Sequence, residues 1–139
     1  MRTNIDLQNL LSAVDVPAQW VGLREVFEAE TPRMIRDGVP VANMHYSTHG
    51  IMVEVLIDGQ FGYYGTPDMT TAGIDRAAKK AFQQAQLAAG SATFHFDESA
   101  RPMHTGSYRS PFVKDRESLS AGKLNALLMD AYTHLKVSD

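Results

Sequence analysis

Apolar residues first recur at three- and four-residue spacing, at Leu7, Leu10, Leu11 and Val14, which predicts a short N-terminal helix capped by Asn4 and closed by Pro17. From Gln19 to Ala29 the period falls to two. Val21, Leu23, Phe27 and Ala29 share one side of this extended run, which reads as a long first strand. Two Asp-Gly pairs follow, Asp37-Gly38 and Asp58-Gly59, each between strand-like runs. Both central residues of a type I′ turn need positive φ, which glycine adopts freely and aspartate tolerates, so each pair predicts a hairpin tip. Pro40 has no N–H to give a ladder, which places an edge or a bulge in the first hairpin. In the second, a two-residue turn sets Ile57 opposite Gln60, Leu56 opposite Phe61, Val55 opposite Gly62 and Val53 opposite Tyr64. Apolar side chains then occupy both faces, as in strands covered on each side.

After Thr66 the period changes to 3.6. Asp68 or Thr70 caps a helix whose stripe is Ile74, Ala78, Ala81, Ala85 and Ala88, with Ala77 and Phe82 beside it and Gly90 at its end. A stripe of small side chains lets the helix axis approach a sheet closely. Residues 91–116 hold no sustained period and carry two prolines. An irregular segment of that length in a compact domain is usually functional or docked against another part of the molecule. Ser118 or Ser120 then caps a last helix with Leu124, Leu127, Leu128, Ala131 and Leu135 on one side, weakened in its first turn by Gly122. The sum is an α+β fold: an antiparallel β-sheet built from hairpins, packed with an Ala-rich helix and flanked by N- and C-terminal helices. No internal repeat or linker interrupts it, so residues 1–139 read as a single domain.

Composition narrows the function classes. At 139 residues and 44% hydrophobic content the chain can bury a core. A net charge of −3 supplies no basic field for nucleic acid or anionic lipid. Cysteine is absent, which removes disulfides, thiol nucleophiles and thiolate metal sites from this chain. The first residues lack the continuous apolar region of a signal peptide, and no run is long enough to span a bilayer; a cytoplasmic location is the expectation.

Candidate chemistry is sparse. His45 and His49 are four apart, the spacing of a helical zinc pair, but they fall in strand and turn context with no acidic residue between them. A solvated or hydrogen-bonded role competes with a metal role there. His95 alternates with Phe94 and Phe96 and so faces away from whatever they bury; His104 and His134 have no local partner. Glu28, Glu30 and Glu54 could act as an acid and base pair, against the ordinary reading of solvated strand edges. The aromatic run at Phe61, Tyr63 and Tyr64 is faintly like an RNA-binding sheet motif, yet it lacks the leading basic residue, and the helix follows the strands instead of separating them. Core or interface rings are the alternative. Lys79-Lys80 reads as the solvated back of an amphipathic helix.

The order of these signals is more specific than any one of them. A long strand, an Asp-Gly hairpin, the phrase G-I-M-V-E-V-L-I-D-G-Q-F-G-Y-Y-G-T, then P-D-M-T-T and an Ala-rich helix resemble the N-terminal domain of the TldD/PmbA family from about Gln19 to Ala89. A looser likeness at Tyr108 to Pro111 and in the Leu-rich last helix is closer to the TldD side. The resemblance implies a two-domain metallopeptidase, also described as a modulator of DNA gyrase, acting in peptide maturation or degradation. It further implies a zinc bound in a separate C-terminal domain by an H-E-x-x-x-H helix with a cysteine ligand, and a second family subunit as partner. This chain departs from that site, since none of its five histidines precedes a glutamate and it has no cysteine. No catalytic, cofactor-binding or metal residue is carried over. The expected role is a non-catalytic domain that walls a substrate channel or mediates domain or subunit contacts. The alternative is a free-standing module that binds a protein or peptide. Ending at HLKVSD, about where the family continues into further strands, the chain is expected to be a truncated form, a proteolytic fragment or a stand-alone N-terminal domain.

Overall fold

A computed structural model describes residues 5–107, 111, 113–114 and 118–135. Its elements run α1 (Leu7–Ser12), β1 (Trp20–Glu30), β2 (Arg33–Arg36), β3 (Val39–Asn43), β4 (Tyr46–Ile57), β5 (Gln60–Thr66), α2 (Thr71–Ala89) and α3 (Ala121–Leu135), with a 3₁₀ turn at Glu98–Ala100. Packing divides the chain into two compact units, Met1–Glu28 with Thr48–His104 and Ala29–Ser47 with Thr105–Asp139.

The expected α+β class and hairpin construction are present, in two sheets instead of one: β1-β4-β5 and β2-β3. The split follows Thr31-Pro32, where β1 ends, because proline withholds the N–H that would continue a ladder. Both Asp-Gly pairs occupy hairpin tips with both residues at positive φ, 50° and 74° in the first and 47° and 74° in the second. Pairing of β4 with β5 has the register set by that turn, Ile57 to Gln60, Leu56 to Phe61, Val55 to Gly62 and Val53 to Tyr64. In β2-β3 the register shifts between Met34 and Ile35, so the strand bearing Pro40 carries the extra residue.

The first unit holds the core. Ile51, Val53, Val55 and Ile57 alternate along one face of β4 and pack with Leu10, Ile74, Ala77, Ala78, Ala81 and Ala85. Helix α2 lies so close to this face that a Cβ on Gly62 would stand 1.9 Å from the Ala81 carbonyl oxygen. Ala88 lies beyond the contact and is exposed. Because β5 is an edge strand its outward N–H groups need acceptors, and Gln84 of α2 supplies one to Tyr63.

The helix starts are fixed by short side chains. Asp6 caps α1, accepting from the Gln8 and Asn9 N–H groups; Asn4 lies outside the described residues. Thr70 caps α2: its hydroxyl accepts from the Gly73 N–H at 3.1 Å and donates to Asp68 Oδ1 at 2.7 Å. Gly90 does end α2, but in right-handed conformation (φ −66°), not the left-handed cap that glycine usually provides. Ser120 caps α3, accepting from the Lys123 N–H.

In the second unit the last helix departs from its expected burial. No described residue of α3 is fully buried, and Leu127 and Leu135 are 55% and 75% exposed. Among the described residues its main packing partner is the short strand β2.

Two consequences are measurable. Gly62→Ala forces the helix off the sheet and costs about 1–3 kcal/mol, whereas Gly65→Ala, whose Cβ meets only Met52 at 3.7 Å, stays within about 0.5 kcal/mol of wild type. Urea midpoints for the pair test this, and equal values would place α2 farther from β5. The Thr70 hydroxyl and N–H, then Arg76, hold the Asp68 carboxyl below its ordinary value of 3.8. A carboxyl depressed on folding contributes stability above its unfolded pKa and loses it as pH falls through the folded one. Asp68→Asn should therefore lose less stability than wild type between about pH 5 and pH 2. Parallel acid-denaturation curves would remove Asp68 from that role.

Candidate functional site

The residues best placed to act lie in three clusters. On the face of β4-β5 away from α2, Glu54 stands opposite Tyr63 in the strand register and is 7% exposed. A buried carboxylate needs compensation, and two guanidinium groups supply it: Arg24 Nη2 at 3.3 Å from Oε1 and Arg101 Nε at 3.8 Å from Oε2. Arg101 also lies 5.6 Å from the centroid of Phe61. A hydrogen bond with Tyr63 and the Glu54 charge raise its pKa further above an already high value. Glu54 is thus not the solvated strand-edge carboxylate expected of it; its partner Arg101 comes from the irregular segment.

That segment docks on the same face. Phe96 packs 5.5 Å from Phe61 and 4.9 Å from Phe94, and Trp20 meets Phe61 edge-on at 6.1 Å. The Phe96 N–H donates to the Gly59 carbonyl at 2.8 Å, while His95 Nδ1 lies 3.1 Å from the Asp58 carbonyl. Phe94 and Phe96 nonetheless remain 64% and 44% exposed, and Phe112 lies outside the described residues. Phe61 and Tyr64 are half-buried and Tyr63 is exposed, with Lys80 5.1 Å from the Tyr64 ring centroid. Lys79 pairs with Asp75 one turn earlier at 2.7 Å.

The second cluster is a Glu–His pair. His49 Nε2 lies 2.8 Å from Glu25 Oε1, both side chains half-buried, and its ring meets Phe27 edge-on at 5.6 Å. This orients an imidazole, but among the described residues no group of three His, Cys, Asp or Glu side chains could hold a metal ion.

The third cluster is in the second unit. His45 Nδ1 is hydrogen-bonded to the Thr31 hydroxyl at 3.0 Å, so the two histidines singled out by their spacing engage different partners. Glu30 accepts from the Tyr46 hydroxyl and Glu28 is exposed. Thr31, Arg33 and His45 line a cavity of about 500 Å³ together with Ala29, Leu119, Ala121, Leu124 and Leu128. Arg33 carried no local signal in the sequence, because its partners Asn43 and Asn125 lie far from it along the chain. His134 bonds its own helix at the Asp130 carbonyl, and His104 is exposed.

Residues 21–85, just under half of the chain, match the family model described as PmbA/TldA metallopeptidase domain 1. No curated protein matches, nor does any solved structure. The matched segment runs from β1 through most of α2 and contains both Asp-Gly turns, Glu54 and Gly62. Tyr108 to Pro111, the looser part of the likeness, falls beyond it, and residues 108–110 lie outside the described residues.

The charge cluster makes a non-additive prediction. Either arginine alone keeps Glu54 compensated, so Arg24→Ala and Arg101→Ala should each cost about 1 kcal/mol or less. Removing both strands a buried carboxylate and should cost about 3 kcal/mol or more. A double-mutant cycle by chemical denaturation decides, and strictly additive losses would mean that Glu54 is effectively solvated.

Proposed function

We propose, on the premise that residues 21–85 belong to the PmbA/TldD metallopeptidase family as its first domain, that the chain is a non-catalytic N-terminal domain. In that role it walls a substrate channel and makes the domain or subunit contacts through which a zinc-bearing C-terminal domain matures or degrades peptides, in the cytoplasm. The single observation that carries this reading is the family match over the sheet-and-helix module. A peptidase zinc needs three protein ligands, an activated water and a nearby base. Here the conspicuous carboxylates already hold structural partners: Glu54 its two arginines, Glu25 its histidine and Asp68 its helix cap. Among the described residues no helix is long and apolar enough to cross a membrane. The TldD-like side is favoured by the Leu-rich last helix.

A second reading, a free-standing module that binds a protein or peptide, is favoured by the apolar side chains left exposed on β3 and α3, among them Val39, Val41 and Leu127. The coding sequence past Asp139 separates the two. A downstream H-E-x-x-x-H supports the first; a stop codon supports the second.

The direct biochemical test uses the purified 139-residue chain. It should retain no stoichiometric zinc after dialysis and cleave no peptide, whereas a product extended through an H-E-x-x-x-H domain should do both. One tightly held zinc per chain, lost on replacing His45 or His49, would overturn the assignment and make the histidines the site.

A further inference from the structure

The second unit contains a cation held by neutral partners. Arg33 Nη1 is held by two neutral amide oxygens, those of Asn43 and, at 3.1 Å, Asn125, and among the described residues no carboxylate pairs with it. Its Nε is buried without any hydrogen-bond partner. A guanidinium carries five donors in a planar fork suited to a carboxylate, and a buried donor left unmade is costly. Arg33 is one of the residues lining the cavity of about 500 Å³, a volume in the range of small-ligand sites. The other walls divide by chemistry. Ala29, Leu119, Leu124 and Leu128 are apolar, while Thr31 and His45 contribute a linked pair of polar groups. Ala121 begins α3, whose first turn contains no acidic residue, so the positive end of the helix dipole adds to the Arg33 charge.

We propose that this cavity binds a carboxylate that carries an apolar side group, with Arg33 gripping the anion and the leucines enclosing the hydrocarbon. The occupant of that chemistry is the C-terminal residue of a peptide ending in an aliphatic side chain. A phosphate-bearing ligand fits less well, because the leucine wall would be left facing water. The site does not depend on the chain being a peptidase domain, since it is formed by the second unit's own residues.

The probe is N-acetyl-leucine, compared with its amide, N-acetyl-leucinamide, by NMR titration of the 139-residue chain. The acid should bind saturably and the amide about tenfold more weakly or less, the discrimination expected of one charge-assisted hydrogen-bonded pair. Asn125→Asp puts a carboxylate where an amide oxygen now touches Arg33, at nearly the same size. It supplies an internal counter-ion, so it should weaken the acid about tenfold and leave the amide unchanged while the circular dichroism spectrum stays that of wild type. Arg33→Gln should remove the preference for the acid over the amide. Equal binding of acid and amide, no saturable binding of the acid at millimolar concentration, or an affinity for the acid unmoved by a folded Asn125→Asp protein would each overturn the proposal. Binding of inorganic phosphate in competition with the acid, and as tightly, would reassign the site to a simple anion. None of these outcomes touches the proposed role of residues 21–85.

Discussion

The first unit depends on a single close approach, the backbone of α2 at Ala81 resting on Gly62 of β5. With no Cβ between them, the alanine stripe can sink onto the sheet and the branched side chains of β4 fill the space beside it. That geometry constrains the neighbouring turn. A slip of one residue in the β4-β5 register would exchange Gly62 for Phe61 or Tyr63 beneath the helix, and neither ring fits where a single methyl does not. The Asp58-Gly59 turn, by fixing two loop residues at positive φ, prevents that slip. Turn chemistry, register and helix packing are therefore one constraint seen at three scales.

The opposite face of the sheet is assembled differently. Leu56 and Glu54 point away from α2, one fully buried and the other nearly so. Cover comes from the irregular segment after α2, through Phe96 on Phe61 and Arg101 on Glu54. The tie of the Phe96 N–H to the Gly59 carbonyl begins this return at the hairpin tip itself. A segment without periodicity thus does the work of a second layer. It relies on rings and a charge pair, which need only a few correctly placed residues, where a helix would need a continuous apolar stripe.

What could be read from the sequence follows the range of the interactions. Both Asp-Gly turns, the four pairings next to Asp58-Gly59 and the Thr70 cap are decided within a few residues, and all are present as expected. The division into two sheets was not foreseen, because the strand-like runs and the two Asp-Gly turns do not say which hairpin shares a ladder with β1. The burial of Glu54 was not legible, because an isolated carboxylate between valines has the same pattern whether water or Arg101 compensates it. Helix α3 shows the converse failure. Its leucines recur at helical spacing, which predicts an apolar side, yet periodicity cannot say whether anything is there to cover it.

The distribution of charge separates scaffold from site. Within the first unit Glu54 faces Arg24 and Arg101, Glu25 faces His49, Asp68 faces Arg76 and Asp75 faces Lys79, so each of these carboxylates has its own counter-charge or imidazole. Neutralised in pairs, these residues hold strands and a helix cap in place and leave little field at the surface. Arg33 differs in kind, since among the described residues its partners are amides that orient the guanidinium without cancelling its charge. An oriented and uncancelled cation beside leucines is a poor way to stabilise a fold, because its desolvation is only partly offset by neutral acceptors. It is a good way to hold an anion, which would supply the missing half of the pair.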